Sequence, residues 1–247
     1  MESKRIRIIA ISLLFFPATV LAYEPTTTHA GLTREIISYY ELLTGNVLEK
    51  YHELIIQGSM DEDTPSIRAL NHFYDPVHDR GLKNYRSAKE WATSRITDNR
   101  FTWEDGVEAY ARGDKERAFY ALGRIIHLIE DSSVPDHTRD DAHPPYGDSW
   151  LHEASMFEGW ADEHKNRTTL AGLGKALFEK TGVRFDQCLN LADCFDAVAG
   201  YSNGNFFSRD TIVNSNYQLP EKRSFDGIYV YGEDSFSGEK VKLLLNS

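Results

Sequence analysis

The sequence predicts an all-α protein, on three observations. Nearly every patterned stretch repeats its apolar residues at helical spacing. No alternating apolar and polar run suited to a strand occurs before residue 225. The composition is that of an ordinary globular chain: 247 residues, 41% hydrophobic and 26% charged. That length holds one compact domain and buries a core without a disulfide framework.

The elements follow in chain order. Met1–Ala22 reads as a secretory signal: Lys4, Arg5 and Arg7 precede an apolar run from Ile8 to Phe16, and Val20-Leu21-Ala22 fits a cleavage site. Cleavage would lower the basic count from 27 to 24 and the acidic count from 38 to 37, moving the formal charge from −11 to −13. Leu32, Ile36, Tyr40, Leu43, Val47, Tyr51, Leu54 and Ile55 then predict a helix, with Thr28 or Thr33 near its start and Gly58 near its stop. Shorter helices are expected across Ser87–Ile96, Trp103–Arg112, Asp114–Asp131, Trp150–His164, Leu170–Thr181 and Asp193–Tyr201. Only GIYVYG at 227–232 and KVKLLL at 240–245 look strand-like, and they suit a terminal hairpin. The predicted organisation is a signal peptide at 1–22, a helical domain at 23–202 and a C-terminal tail at 203–247. In an exported chain, Cys188 and Cys194 read as a disulfide closing a local loop in preference to a metal site.

The acidic balance argues against a broad basic face for duplex nucleic acid, while leaving room for an anionic substrate held by metal ions. The chemistry concentrates in ERAFYALGRIIHLIEDSSVPDHTRDDAH, residues 116–143. Its helix carries an apolar stripe of Phe119, Leu122, Ile126 and Ile129 and a second stripe of Tyr120, Arg124, His127 and Asp131. His127 and Asp131 stand four apart, so both project from one side of adjacent turns and suit one borderline cation. Pro135 is expected to end that helix and His137 to follow on a turn. Other histidines stand beside acids in short polar segments: His29 in THAGLT, His72 in NHFYDP, His143 after PDHTRDDA, and His152 in LHEASMFE. GSMDED at 58–63 adds a carboxylate-rich turn. Imidazole and carboxylate in such mixture are the donors of hydrolytic multi-metal centres.

The order THAGLT, GSMDED, NHFYDP, FYALGRIIHLIEDSSVPDH and a Phe-Glu pair resembles the zinc-dependent bacterial phospholipase C family, whose superfamily also holds the fungal single-strand-specific nucleases. The resemblance spans about residues 23–165 and implies three zinc ions. His127 and Asp131 match the helix ligands, with Asp131 bridging two metals. His72 and Asp63 complete the surround of the bridged pair, and Asp63 is also the implied general base. His29 would share the second metal with a new N-terminal amine and carbonyl at Tyr23. His137 and Glu158 match ligands of the third metal. The family then expects a histidine one turn before that glutamate, where this chain has Ala154. His143, six residues beyond His137, is preferred over His152 as the substitute. Arg139, Asp140 and Asp141 read either as groups fixing the loop or as a solvated polar turn.

The resemblance implies a secreted or periplasmic phosphodiesterase cutting phospholipids on the glycerol side of the phosphate. It is expected to be a monomer in transient contact with a membrane surface. The alternatives are a zinc-dependent single-strand nuclease and a non-catalytic protein whose metals only hold its helices together.

Overall fold

A single turn over Pro25–His29 leads into α1 (Ala30–Thr44), and a 3-10 turn at Glu49–Tyr51 leads into α2 (His52–Asp61). A further 3-10 segment, Ser66–Asn71, is followed by α3 (Ala88–Thr93), α4 (Trp103–Ala111), α5 (Lys115–Asp131), α6 (Pro135–Thr138) and α7 (Leu191–Asn205). This computed structural model describes residues 25–95, 98–142, 155, 157–158, 188–206, 208, 214–217, 223–226, 229–233 and 240–244. The signal segment, Tyr23, His143, His152, the expected helix Leu170–Thr181 and all of Trp150–His164 except 155 and 157–158 lie outside the described residues.

Local chemistry explains most helix starts and one helix stop. Ser87 and Thr102 each accept a bond from the backbone N–H of the third helical residue, while the Glu90 and Asp105 carboxylates accept one from the cap's own N–H, forming two capping boxes. Asp114 caps α5 through the amide of Arg117, and Asn190 caps α7 through that of Asp193. The helix expected from residue 28 or 33 to 58 is two helices. Gly45 adopts a φ of +80°, where an L side chain is strained, and α1 stops there. The residues after Asp131 also depart from expectation. Pro135 does not terminate a helix; it opens α6 at a first-turn position, where its missing N–H costs nothing, so His137 is helical.

The long helix α5 is the centre of the domain. Phe119, Leu122 and Ile126 lie against Ala30, Ile37, Ile55 and Ile56 of α1 and α2. Ile125, Leu128 and Ile129 face the other way, toward Tyr74, Ala88, Trp91 and Ala92 and toward Phe195 and Ala199 of α7. Two apolar flanks leave a third direction on α5 for His127 and Asp131. The closest approach is between α2 and α5. A Cβ on Gly123 would stand 1.9 Å from the Ile55 carbonyl oxygen, and one on Gly58 would stand 2.1 Å from that of Tyr120.

The tail forms a three-stranded antiparallel sheet in the order β1 (Arg223–Asp226), β2 (Tyr229–Glu233), β3 (Lys240–Leu244). The expected hairpin is the β2–β3 pair, with Tyr229 opposite Leu244 and Tyr231 opposite Lys242. β1 was not expected. Among the described residues the body is all-α as predicted, with named strands only in the tail. Helix α7 runs to Asn205, three residues past the expected boundary at 202. Cys188 and Cys194 are free thiols, not a disulfide. Burial and a hydrogen bond with Cys188 push the Cys194 thiol up to about 12. Among the described residues, no helix is long and apolar enough to cross a membrane.

Candidate metal centre

Seven of the predicted site residues are described, and the fold brings all seven together. His29 closes the first turn, Asp63 follows α2, and His72 follows the Ser66–Asn71 segment. His127 and Asp131 lie on α5, His137 on α6, and Glu158 in a helical residue pair with Phe157. Each is buried.

Asp131 is the hub. Its Oδ2 lies 2.7 Å from His72 Nδ1, 3.2 Å from His127 Nε2 and 3.9 Å from His137 Nδ1, and its Oδ1 lies 3.4 Å from His29 Nε2. Asp63 stands 3.5 Å from His72 Nδ1 and 3.8 Å from His127 Nε2. Two overlapping donor sets result: His29, Asp63 and His127, and His72, His127 and Asp131, each with ligand atoms within 4.8 Å of one another. His127 belongs to both. To one side, His137 Nε2 lies 3.3 Å from Glu158 Oε1, and the His137 ring stacks on Phe73 with centroids 4.4 Å apart. Phe73 and Tyr74 are buried packing residues of the NHFYDP motif.

The rings are aimed from behind. His127 donates its Nδ1 proton to the Ser59 carbonyl at 2.7 Å, which turns Nε2 toward the carboxylates. His29 stacks on His127 with centroids 3.7 Å apart and places its Nδ1 2.6 Å from Glu130 Oε2. His72 faces the cluster through Nδ1, while its Nε2 lies 3.8 Å from Glu62 Oε1.

Electrostatics runs in one direction throughout. Burial opposes protonation of His29, but Asp131 and Glu130 outweigh it and raise its pKa to about 10. Burial and the neighbouring His29 oppose a charge on His127, and the Asp131 and Asp63 carboxylates still raise its pKa. Burial penalises the Asp131 carboxylate, and the imidazoles of His127 and His137 nonetheless hold it well below the usual range. The cavity therefore stabilises positive charge.

The donor set fits zinc. Among the described residues, none of the four buried carboxylate oxygens of Asp63 and Asp131 accepts a hydrogen bond from an amide, guanidinium or hydroxyl group; the groups that face them are imidazole nitrogens, as near as 2.7 Å. Unsatisfied buried carboxylate oxygens cost several kcal/mol in order of magnitude unless a cation meets them. Imidazole nitrogen and carboxylate oxygen without thiolate are the ligands of open zinc sites, as against closed structural ones.

Residues 28–179, more than half of the chain, match the model of the family described as zinc dependent phospholipase C. The chain belongs to the zinc-dependent phospholipase C family. A relative from Listeria monocytogenes named phospholipase C is 31% identical over 100 residues, 38% of this chain and 32% of that protein. The chain thus matches about a third of the length of that curated relative. Among solved structures, the alpha toxin from Clostridium absonum superposes with a TM-score of 0.52 at 19% identity, covering 78% of this chain and 57% of the toxin. That likeness establishes the shared helical fold.

Sequence reasoning missed the supporting residues. Glu62, Thr33 and Glu130 are all buried behind the site. Arg139 and Asp141 are buried as well, which removes the solvated-turn reading for both; Arg139 donates to the Asn203 carbonyl and Asp141 accepts from Ser208. Asp140 is bound by Arg80 at 3.1 Å on the surface.

Proposed function

We propose that the chain is an exported, monomeric zinc-dependent phosphodiesterase that hydrolyses the glycerol-side phosphate ester of phospholipids in transient contact with a membrane surface. The observation that carries this reading is the Asp131 carboxylate, buried among four histidines with Asp63 beside them and faced by imidazole nitrogens rather than by guanidinium, amide or hydroxyl groups. Family membership supports zinc as the cation.

His127, Asp131, His72 and Asp63 would hold the first zinc, and His29 with Asp131 and the Tyr23 amine and carbonyl the second. His137, Glu158 and His143 would hold a third. Zinc when bound supplies Lewis acidity toward the phosphodiester and makes water a nucleophile near neutral pH. The chain's own residues do the rest. Asp131, facing histidines through both oxygens, fixes the spacing of the centre. Asp63 stands two residues past α2 with neither oxygen hydrogen-bonded among the described residues, so it can orient the attacking water and take its proton. Phe73 packs flat against His137 and shields that flank from solvent. The assigned order is a signal at 1–22, the hydrolase domain at 23–202 and the tail at 203–247.

The test is zinc content by elemental analysis, together with hydrolysis of a chromogenic choline phosphodiester and of single-stranded DNA, with and without chelator. About three zinc ions and chelator-sensitive hydrolysis of the choline ester are expected. Preference for the DNA would turn the assignment to a nuclease. Zinc uptake without hydrolysis of either would leave a metal-stabilised scaffold.

A further inference from the structure

We propose that Glu130 is a positioning residue of the centre: its carboxylate accepts the Nδ1 proton of His29 and thereby commits His29 to bind metal through Nε2. This assignment rests on the zinc-centre reading above. Glu130 Oε2 lies 2.6 Å from His29 Nδ1, while the opposite nitrogen of the same ring lies 3.4 Å from Asp131 Oδ1. One imidazole therefore spans two carboxylates that are neighbours in sequence, one behind it and one in the centre. Neither the ring nor Glu130 is open to solvent, at 0% and 5% exposure, so water does not compete for Nδ1.

Glu130 is itself held. Its Oε1 lies 2.9 Å from Thr33 Oγ1, which is also 2.9 Å from Ser59 Oγ. A hydroxyl has one proton and an ionised carboxylate can only accept, so Thr33 donates to Glu130 and receives from Ser59. The chain Ser59–Thr33–Glu130–His29 ties α2, α1, α5 and the first turn to one ring. Ser59 also supplies the carbonyl that orients His127, so a single residue of α2 anchors both stacked imidazoles. A carboxylate behind a ligating histidine fixes its tautomer and raises its basicity, and loss of such a partner typically costs about 10–100-fold in metal affinity. Glu130 has no place among the ligands, and neither motif nor resemblance singles it out in the sequence.

Zinc affinity by chelator competition, with the His29 Nδ1 proton followed by NMR in the zinc-loaded protein, tests the assignment in wild type, Glu130→Gln, Glu130→Ala and Thr33→Val. Glutamine keeps the shape and an acceptor but not the charge. It should weaken one zinc by about tenfold and shift the Nδ1 proton upfield. Alanine should approach a hundredfold loss and abolish that resonance, and valine should give the smallest loss. A purely structural role would lower the melting temperature while leaving the resonance and the zinc affinity in place. If alanine fails to fold, glutamine decides. Zinc affinity unchanged in a folded Glu130→Gln overturns the assignment alone; a wild type that takes up no zinc overturns the centre with it.

Discussion

Glu62 and Asp63 are adjacent in sequence and both buried, at 0% and 3% exposure, yet they end in opposite circumstances. Glu62 is saturated. Arg68 reaches both of its oxygens, at 2.6 and 2.8 Å, Trp91 Nε1 donates to one at 3.0 Å, and Arg124 donates to the other at 2.9 Å. Arg124 is in turn bound to Tyr120, and Tyr120 to Asp61. Asp63 has only ring nitrogens at 3.5 and 3.8 Å, and neither of its oxygens is hydrogen-bonded among the described residues. Burial of a carboxylate therefore does not mark a metal ligand. What sets the candidate ligand Asp63 apart is burial with only imidazole nitrogens near it, beside a network that shows the fold can supply guanidinium groups where it needs them.

The comparison breaks most visibly on removal of the hub. His127→Ala/Asp131→Ala should abolish zinc binding and hydrolysis together. In wild type, zinc at about a thousand times its dissociation constant adds about 4 kcal/mol to stability. In the double variant the melting temperature should no longer respond to zinc or to chelator. A variant that still melts higher with zinc would place the metal elsewhere.

Arg124→Met tests the other half. Stripping one partner from a buried pair costs about 3–5 kcal/mol, and Glu62 keeps Arg68 and Trp91, so about 3 kcal/mol is expected. Unlike the first loss, it should be the same with and without chelator. Burial raises the Glu62 pKa, but Arg68, His72, Arg124 and His127 outweigh burial and hold it below its usual 4.5. A lowered carboxyl pKa contributes stability that is complete above pH 4.5 and fades as pH falls through the folded value. The gap between wild type and Arg124→Met should therefore narrow only on acidification, as chemical denaturation at a series of pH values would reveal.

Legibility followed the range of the interaction. His127 and Asp131 were visible because four residues is one helical turn. His29, Asp63 and His72 came from family resemblance, since contacts across 55 to about 100 residues leave no local trace. Glu130 left neither signal. Apolar periodicity found α1 but misjudged its faces. The buried side is Ala30, Thr33 and Ile37, whereas Ile36, Tyr40, Leu43 and Val47 of the expected stripe are 43–63% exposed. Small residues let helices approach and carry little hydropathy, so a stripe weighted by hydropathy points the wrong way here.

The joint between the two clusters is the α2–α5 contact, and it is breakable by one methyl group. Gly123→Ala would drive a Cβ into the Ile55 carbonyl at 1.9 Å, against backbone that cannot rotate away. Separation of the helices should cost about 1–3 kcal/mol and also weaken zinc, since Asp63 follows α2 while His127 rides on α5. Gly106→Ala is the control. Its Cβ would meet the Ala121 Cβ at 3.4 Å and the Ala118 carbonyl oxygen at 3.7 Å, both ordinary contacts, in a helix interior where alanine is favoured by about 1 kcal/mol, so zinc affinity should be unchanged and stability equal or higher.

The smallest effect belongs to a third ionic cluster, where Lys89 meets Tyr74, Asp79 and Asp196 between α3 and α7. It has as many partners as the Glu62 network, so partner number alone would rank the two alike. Exposure separates them: the Asp79 and Asp196 side chains are 73% and 50% exposed, against 0% for Glu62. Water and salt screen such pairs, and neither carboxylate would be stranded without its lysine. Lys89→Met should therefore cost about 0.5–1 kcal/mol by denaturant unfolding, and most of that should vanish in 1 M salt, roughly a 3 Å Debye length. A loss near that of Arg124→Met would mean that geometry outweighs burial in ranking this protein's ion pairs, and the contrast between Glu62 and Asp63 would then need a cause other than the supply of donors.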